Sequence, residues 1–386
     1  MTCPLEIRIP LSAPHIPKAA WRNVRDCLKT GWVSSVGAYV GQFERNMSRR
    51  IGAQHAVATV NGTAALHTAL LTAGVGEGDE VLVSTLSFIA PANAIRYVGA
   101  RPIFVDADPV YWQMDVSRVA DFLGKECRWK RGGWINRQSG RRVRAILPVH
   151  ILGHPCDMKP LLALARKYNL AVIEDATESL GSLYGGRPVG SLGDAACFSF
   201  NGNKIITTGG GGMMVTNRTR WARQARYLTT QAKTPGLEYI HHHVGYNYRL
   251  TNLQAALGCA ELDQLDKYIG AKRRIALRYG QGLGALPGIT LPSEASWAFS
   301  TFWLYTILAR TFPLGSRGLV RALLSRGIEA RPLWQPLHLS PAHKGSQSLG
   351  GDVSERLWAQ AVSLPSSVAM TADQQNQVIR FICAGK

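Results

Sequence analysis

Two residues that could do covalent and acid–base chemistry each follow a predicted β-strand. Lys204 comes just after the apolar run 195–200 and shortly before four consecutive glycines at 209–212. A lysine amine that is withdrawn from water has a lowered pKa and acts as a nucleophile toward an aldehyde. Asp175 belongs to the segment Glu174–Asp175–Ala176, which follows the apolar run 171–173, and its carboxylate could hold a protonated ring nitrogen there. A surface lysine beside a flexible loop and a turn-forming aspartate are the simpler alternatives.

Two more segments in comparable positions supply an anion site and an aromatic face. Asn61–Gly62–Thr63 follows the strand-like run 56–60 and begins a helical pattern. The free N–H groups and the dipole at a helix start favour a bound anion. Phe88 follows the run 80–83, and an aromatic ring there can stack on a flat ligand. A plain N-cap and a core aromatic are the alternatives for these two segments.

Taken together, the four segments match the chemical needs of one cofactor. They provide a cradle for a phosphate, a face for a ring, a carboxylate for a pyridinium nitrogen and an amine for an aldehyde. We therefore predict that the chain binds pyridoxal 5′-phosphate (PLP).

The elements that must position these residues form an alternating series over the first two thirds of the chain. Short apolar runs are separated by helical patterns at 64–73, 89–98 and 159–168. This alternation predicts an α/β fold with a mostly parallel central sheet covered by helices on both faces. Ligands of such sheets bind beyond the carboxyl ends of the strands. The predicted strands are 56–60, 80–83, 102–105, 145–149, 171–174, 195–200 and 213–216.

Near residue 245 the regular alternation of strand-like and helical patterns ends, and fewer strand-like runs follow. We expect a large domain over 1–245 and a smaller C-terminal α+β domain over 246–386. The patterns in the second region predict a long helix at 252–279, a strand at 300–309, and helices at 319–326 and 371–383.

The composition is that of an ordinary globular protein, with 46% hydrophobic and 18% charged residues among 386. No apolar run approaches the length that a membrane-spanning helix needs, and the N-terminus lacks a signal-peptide pattern. Seven widely spaced cysteines, an odd number without a Cys-x-x-Cys pair, indicate free thiols in a reducing compartment. We therefore expect a cytoplasmic enzyme without membrane insertion.

The net charge of +19 raises the question of nucleic acid. The basic residues are scattered, and the densest stretch, 125–144, is typical of an exposed loop or hairpin that attracts small anions. No nucleic-acid-binding motif accompanies them, so we expect no nucleic-acid partner. His241, His242 and His243 are adjacent, without a second ligand group at metal spacing, so we expect no metal site either.

Two longer segments carry a family resemblance. The segment SFNGNKIITTGGGGM at 199–213 and the segment GYNYRLTNLQAALG at 245–258 resemble the DegT–DnrJ–StrS family of PLP-dependent sugar-nucleotide aminotransferases. Within that family, the segments 86–90, 150–153 and 140–142 are most similar to the legionaminic acid pathway branch, which aminates UDP-linked 4-keto-6-deoxy-N-acetylhexosamines.

The resemblance implies the PLP-dependent fold type I, which is that of aspartate aminotransferase, and a homodimer with shared active sites. Lys204 would bind the cofactor aldehyde and Asp175 its ring nitrogen, while Phe88 would stack on the ring. The phosphate would be held by Thr63, Ala64, Ser199 and, from the partner subunit, Asn247. Glu178 falls near the ring 3-hydroxyl in this family. Substrate contacts are expected at Ser34 and Arg249, and the segment 331–338 could supply Arg331 and His338 or simply pack the small domain.

The implied reaction moves an amino group from L-glutamate to C4 of a nucleotide-linked 4-keto-6-deoxy sugar, with pyridoxamine 5′-phosphate as the intermediate cofactor form. The preferred substrate is a UDP-linked 2-acetamido sugar, for surface-glycan or nonulosonic acid biosynthesis. A GDP- or dTDP-linked sugar or an octulosonate, aminated at C4 or C3, is the alternative. A non-catalytic basic binding protein on the same fold is the alternative from another class.

Overall fold

The computed structural model describes residues 6–130, 132–234 and 236–385. Cys3, one of the seven predicted free thiols, and Arg131 of the basic segment lie outside the described residues. The other six cysteines are free thiols, five of them buried. No helix in the described part of the chain is long and apolar enough to cross a membrane.

In the described part of the chain, seventeen strands form one large and two small sheets. The strands are His55–Thr59 (β1), Asp79–Ser84 (β2), Arg101–Val105 (β3), Cys127–Lys130 (β4), Gly133–Asn136 (β5), Arg142–Leu147 (β6), Ala171–Asp175 (β7), Leu183–Tyr184 (β8), Arg187–Pro188 (β9), Ala195–Ser199 (β10), Gly212–Thr216 (β11), Ile289–Thr290 (β12), Ala298–Phe299 (β13), Tyr305–Ala309 (β14), Arg331–Pro332 (β15), Ser348–Leu349 (β16) and Ala361–Leu364 (β17).

The described residues also form twelve α-helices, which pack against these sheets. The helices are Lys18–Thr30 (α1), Ala38–Ile51 (α2), Gly62–Thr72 (α3), Ala90–Tyr97 (α4), Val116–Asp121 (α5), Met158–Tyr168 (α6), Thr219–Thr229 (α7), Asn252–Leu262 (α8), Leu265–Leu283 (α9), Gly315–Leu324 (α10), Asp352–Gln360 (α11) and Ala372–Ala384 (α12).

The large sheet has the strand order β1-β11-β10-β7-β6-β2-β3-β16, with the hairpin β4–β5 attached to β6. All its strands except β5 and β11 run in one direction. The predicted fold class, with its mostly parallel sheet, is therefore confirmed. The carboxyl ends of β1, β2, β7 and β10 lie at one edge of the sheet, and the residues singled out in the sequence follow these ends.

Both faces of this sheet are buried, which explains why its strands are almost continuously apolar. Adjacent residues of β10 belong to different cores. Cys197 packs with Leu66 of α3 on one face, and Phe198 packs with Phe43 of α2 on the other. The sheet is thus a rigid layer whose edge holds side chains in fixed positions.

The predicted helix at 252–279 is wrong as a single element. The chain forms two helices, α8 and α9, separated by a turn at Asp263 and Gln264. The N–H of Gln264 donates to the carbonyl of Glu261 at 3.0 Å, and Leu265 is buried in the core. Neither glycine nor proline marks this turn, so the apolar pattern runs through it without interruption.

The predicted strand at 300–309 is also too long. Only Tyr305–Ala309 forms a strand, which pairs with β17 through residues 305–308, because the preceding residues leave the extended conformation. Phe302 has φ 48°, and the N–H of Thr301 donates to the carbonyl of Gly153 at 3.1 Å. This irregular segment brings Trp303 to the edge of the large sheet.

The C-terminal region contributes the four-stranded sheet β12-β14-β17-β15 and its covering helices, but it also extends β3 with the short strand β16. The division at 245/246 into two domains stays a prediction. The basic segment contains the antiparallel hairpin β4–β5, on which Trp129 is exposed.

Candidate active site

A cavity of about 480 Å³ opens at the carboxyl edge of the large sheet. It brings together seven of the residues that the sequence singled out, and tryptophans and an asparagine-rich loop complete its wall. The predicted residues that line it are Thr63, Phe88, Asp175, Glu178, Ser199, Lys204 and Arg331. The segments that follow β1, β2, β7 and β10 therefore meet at one place.

Lys204 lies in the turn after β10, where its backbone N–H donates to the carbonyl of Asn201 at 3.0 Å. Its amine lies 4.1 Å from the ring centroid of Trp303 and 3.8 Å from a carboxylate oxygen of Glu178. Withdrawal from water lowers the pKa of Lys204, although the two nearby carboxylates oppose this shift. A lysine with a lowered pKa is a better nucleophile near neutral pH.

Asp175 ends β7, and its side chain is buried. One carboxylate oxygen accepts the N–H of Thr177 at 3.1 Å. Burial raises the pKa of Asp175, while the hydrogen bonds from Thr177 and the charge of Lys204 lower it. A buried carboxylate in this state gains stability from a cationic partner, so the position suits a protonated ring nitrogen.

The start of α3 forms a narrow polar cradle. Asn61 caps the helix by accepting the N–H of Ala64 at 2.8 Å, which fixes the first turn toward the cavity. A Cβ added at Gly62 would lie 2.9 Å from the Cβ of Ser199, so glycine is needed for this close approach. Free N–H groups, a positive helix end and the hydroxyls of Thr63 and Ser199 suit a phosphate.

Glu178 is the second carboxylate beside Lys204. It accepts the N–H of Leu152 at 2.9 Å. Burial raises the pKa of Glu178 to about 7, against the opposing effect of the Lys204 charge. The group can therefore hold or release a proton near neutral pH, next to the amine.

The remaining predicted residues do not line this cavity. Ala64 is buried within α3, and Ser34 and Asn247 are exposed elsewhere. The guanidinium of Arg249 pairs with Glu44 at 2.9 Å, and the imidazole of His338 contacts the hydroxyl of Thr85 at 2.7 Å. The role predicted for Asn247 places it in the cavity of a partner subunit.

Trp303, Trp334 and Asn203 are among the cavity-wall residues that the sequence does not identify as site residues. Trp303 lies within the predicted strand 300–309. Trp334 lies within the segment 331–338, of which only Arg331 and His338 are predicted contacts. Asn203 accepts the indole N–H of Trp303 at 2.7 Å and the hydroxyl of Ser12 at 2.9 Å through its carbonyl. Trp334 lies between two nearby prolines, Pro332 and Pro336, and this was the sequence feature that could have indicated an aromatic wall.

The glycine-rich loop after Lys204 is anchored by a buried carboxylate. The N–H of Thr207 donates to Glu261 at 3.0 Å, and the other oxygen of this carboxylate is buried without a hydrogen-bond partner. Burial raises the pKa of Glu261 from 4.5 to about 7. Proton uptake by Glu261 therefore favours the folded chain.

We expect the stability of the protein relative to its Glu261→Gln variant to fall as pH rises from 4.5 to about 7. Over this range the folded chain binds a proton that the unfolded chain has lost, so each increase in pH favours unfolding. The difference in unfolding free energy between the two proteins should change by about 1–3 kcal/mol between pH 5 and pH 8. Urea titrations of cofactor-free protein at both pH values measure it.

Glu77→Gln is the matched control, because Glu77 is exposed and loses the same charge. Its stability relative to the unmodified protein should vary little over the same range. An equal pH dependence in both variants would contradict the role of burial at Glu261.

Comparisons with known proteins support the family resemblance of the segments 199–213 and 245–258. Residues 14–383 match the model of the DegT/DnrJ/EryC1/StrS aminotransferase family. The chain is 39% identical to a GDP-perosamine synthase of Caulobacter vibrioides over 376 residues, covering 96% of each chain. It is also 39% identical to a GDP-perosamine synthase of Escherichia coli O157:H7 over 375 residues, covering 97% of this chain and 96% of the relative.

A solved structure agrees with these relatives. The crystal structure of a DegT DnrJ EryC1 StrS aminotransferase from Brucella abortus matches with a TM-score of 0.86, 29% identity and coverage of 95% of each chain. The resemblance read from the segments 199–213 and 245–258 is thereby confirmed, whereas the legionaminic branch stays a prediction. The chain belongs to the DegT/DnrJ/EryC1/StrS aminotransferase family.

Proposed function

We propose that the protein is a PLP-dependent aminotransferase that moves an amino group from L-glutamate to C4 of a nucleotide-linked 4-keto-6-deoxy sugar. The observation that carries this proposal is the shared cavity of Lys204 and Asp175, each of which shifts the pKa of the other. The cofactor of the family fits this chain, since the cavity offers an amine, a buried carboxylate and a helix start in one place.

Bound PLP supplies an electron sink for the carbanion that forms when a proton leaves the substrate carbon. The residues of the chain do the rest. Asp175 would hold a proton on the ring nitrogen and so sustain the electron-withdrawing power of the ring. The amine of Lys204 would carry the proton between the donor Cα and C4′ of the cofactor, and would carry it in the reverse direction for the sugar.

Glu178 and Trp303 both influence whether the amine of Lys204 carries a proton. The carboxylate of Glu178 attracts the protonated form of Lys204, and the apolar surface of Trp303 excludes water beside it. These opposing influences keep the pKa of the amine below its usual value but above that of an isolated buried lysine. The amine can therefore accept and release a proton in turn.

The nucleotide of the substrate has two candidates. The segments 86–90, 150–153 and 140–142 favour a UDP-linked 2-acetamido sugar. The relatives named GDP-perosamine synthase favour the GDP-linked alternative. The net charge of +19 raises the local concentration of either diphosphate.

We further infer a homodimer in which Asn247 of one subunit reaches the phosphate cradle of the other. Asn247 is exposed, and the neighbouring loop carries Leu237, Tyr239 and Val244 with 93%, 81% and 84% of their surfaces exposed. A loop with so much apolar surface is typical of a protein–protein contact.

Mass spectrometry of the products tests the proposal. Protein loaded with PLP should be yellow, and L-glutamate should bleach it as the pyridoxamine form accumulates. A panel of UDP-, GDP- and dTDP-linked 4-keto-6-deoxy sugars should then yield an amino sugar from one nucleotide series, with ping-pong kinetics. Failure of glutamate to bleach the protein, with no aminated product from any sugar, would refute the proposal.

A further inference from the structure

Two tryptophans form one wall of the cavity. The indole rings of Trp303 and Trp334 are nearly parallel, with an interplanar angle of 6° and centroids 6.4 Å apart. Both rings line the cavity that holds Lys204 and Asp175. The wall is thus an aromatic surface beside the reacting groups. Trp303 faces the amine of Lys204, whereas the cofactor chemistry described above does not use Trp334.

Two hydrogen bonds hold Trp303 in place. Its indole N–H donates to the carbonyl of Asn203 at 2.7 Å. Its own carbonyl accepts a hydrogen bond at 2.7 Å from Lys272, a lysine whose side chain is fully buried. Trp303 is itself 2% exposed, while Trp334 is half-buried. One ring is therefore rigid, and the other presents a free surface to a ligand.

The position of Lys204 determines which part of a substrate meets this wall. The amine lies 4.1 Å from the centroid of Trp303, and it must reach the carbon that gains or loses nitrogen. The sugar ring that contains this carbon therefore lies within a few ångströms of the indole surface. The nucleotide, attached at the far side of the sugar, extends away from Lys204.

The chemistry of the wall matches a deoxygenated sugar better than the amino donor. A 6-deoxyhexose presents ring C–H groups and a methyl group, whose transfer from water to an aromatic surface is favourable. Glutamate is acyclic and carries two carboxylates, which gain nothing from an indole face. The same cavity must accept both molecules in turn, so the wall can discriminate between them.

We propose that Trp334, supported by the buried ring of Trp303, binds the sugar ring of the substrate and selects for its apolar 6-deoxy edge. This inference rests on the proposed function and specifies the part of the substrate that each surface contacts. Trp334 is accordingly a specificity-determining residue.

Titration calorimetry on the protein and its Trp334→Ala variant, both loaded with pyridoxamine 5′-phosphate so that the amino sugar does not react, tests the proposal. Two probes are compared: the aminated nucleotide sugar that the mass-spectrometric assay identifies, and the matching nucleoside diphosphate, UDP or GDP. We expect the variant to bind the amino sugar nucleotide about 10-fold more weakly, a loss of about 1.4 kcal/mol. Binding of the bare diphosphate and bleaching by glutamate should stay unchanged.

Three further variants complete the design. Trp334→Phe keeps an aromatic face and should recover most of the affinity, whereas Trp334→Leu keeps only apolar volume and should recover less. If Trp334→Ala is unstable, these two carry the comparison. Trp129→Ala is the matched control, since Trp129 is exposed on the hairpin β4–β5 and does not line the cavity.

An equal loss of affinity for the sugar nucleotide and the bare diphosphate would overturn the proposal, because the wall would then contact the nucleotide. Unchanged affinity for both probes would overturn it as well. Slower bleaching by glutamate in Trp334→Ala would assign the wall to the donor instead. Failure of the proposed function is distinct, since the unmodified protein would then neither respond to glutamate nor aminate a sugar.

Discussion

Lys204→Ala is expected to abolish amino transfer, with a loss of more than about 10⁴-fold in turnover. The variant lacks the amine that moves the proton between the substrate carbon and C4′, and no other amine is placed beside Trp303 and Glu178 in the described part of the cavity wall. The phosphate cradle and Asp175 are untouched, so the variant should still bind PLP without a covalent link. Steady-state kinetics and equilibrium dialysis with PLP measure the two properties.

Lys267→Ala is the matched control for this variant. Lys267 is an exposed residue of α9, so the same change of side chain there should leave turnover unchanged. Exogenous small amines should restore part of the activity of Lys204→Ala, because a diffusing base can enter the cavity that the side chain leaves. Full activity of Lys204→Ala without added amine would exclude Lys204 as the proton carrier.

The position of the site at the carboxyl edge of the sheet was predictable, because strand direction alone decides it. Lys204, Asp175, Phe88 and the start of α3 all follow parallel strands, and parallel strands end at one edge. Buried strands are almost continuously apolar, so the sequence marks them clearly. The cofactor could be predicted because four simple chemical needs coincided there.

The tryptophan wall was not predictable from local sequence. Trp303 reaches the cavity because residues 300–304 leave the extended conformation, and Phe302 adopts φ 48° without a glycine to signal it. Trp334 arrives from a distant part of the chain through the pairing of β15 with β17. Long-range contacts of this kind depend on the packing of the C-terminal region, which periodicity does not encode.

Two adjacent acids, Glu174 and Asp175, end the strand β7, and the alternation of side chains along a strand decides which of them faces the cavity. Adjacent residues of a strand point to opposite faces, so only one of two acids can face the cavity. Glu174 instead contacts His150 at 3.1 Å and accepts the N–H groups of Gly190 and Gly193 at 2.9 and 2.6 Å. Its role is to hold a loop on the far side of β7, whereas Asp175 lines the cavity.

Asp175→Asn is expected to lower turnover by about 10²–10⁴-fold while leaving the fold intact. The asparagine keeps an oxygen for the N–H of Thr177 but lacks the charge that holds a proton on the ring nitrogen. Without that proton the ring withdraws electrons poorly, and removal of the donor Cα proton becomes slow. Single-turnover bleaching by glutamate measures this step directly.

Stability separates this catalytic effect from misfolding. Burial raises the pKa of Asp175, so the folded, cofactor-free protein already disfavours the charged carboxylate. Replacement by the neutral amide removes that cost, and the free energy of unfolding without cofactor should not fall. Asp263→Asn, an exposed change of the same kind, should affect neither bleaching nor stability. If Asp175→Asn bleached at the rate of the unmodified protein, another group would have to hold the ring proton, and the cavity offers Glu178 as the carboxylate to test next.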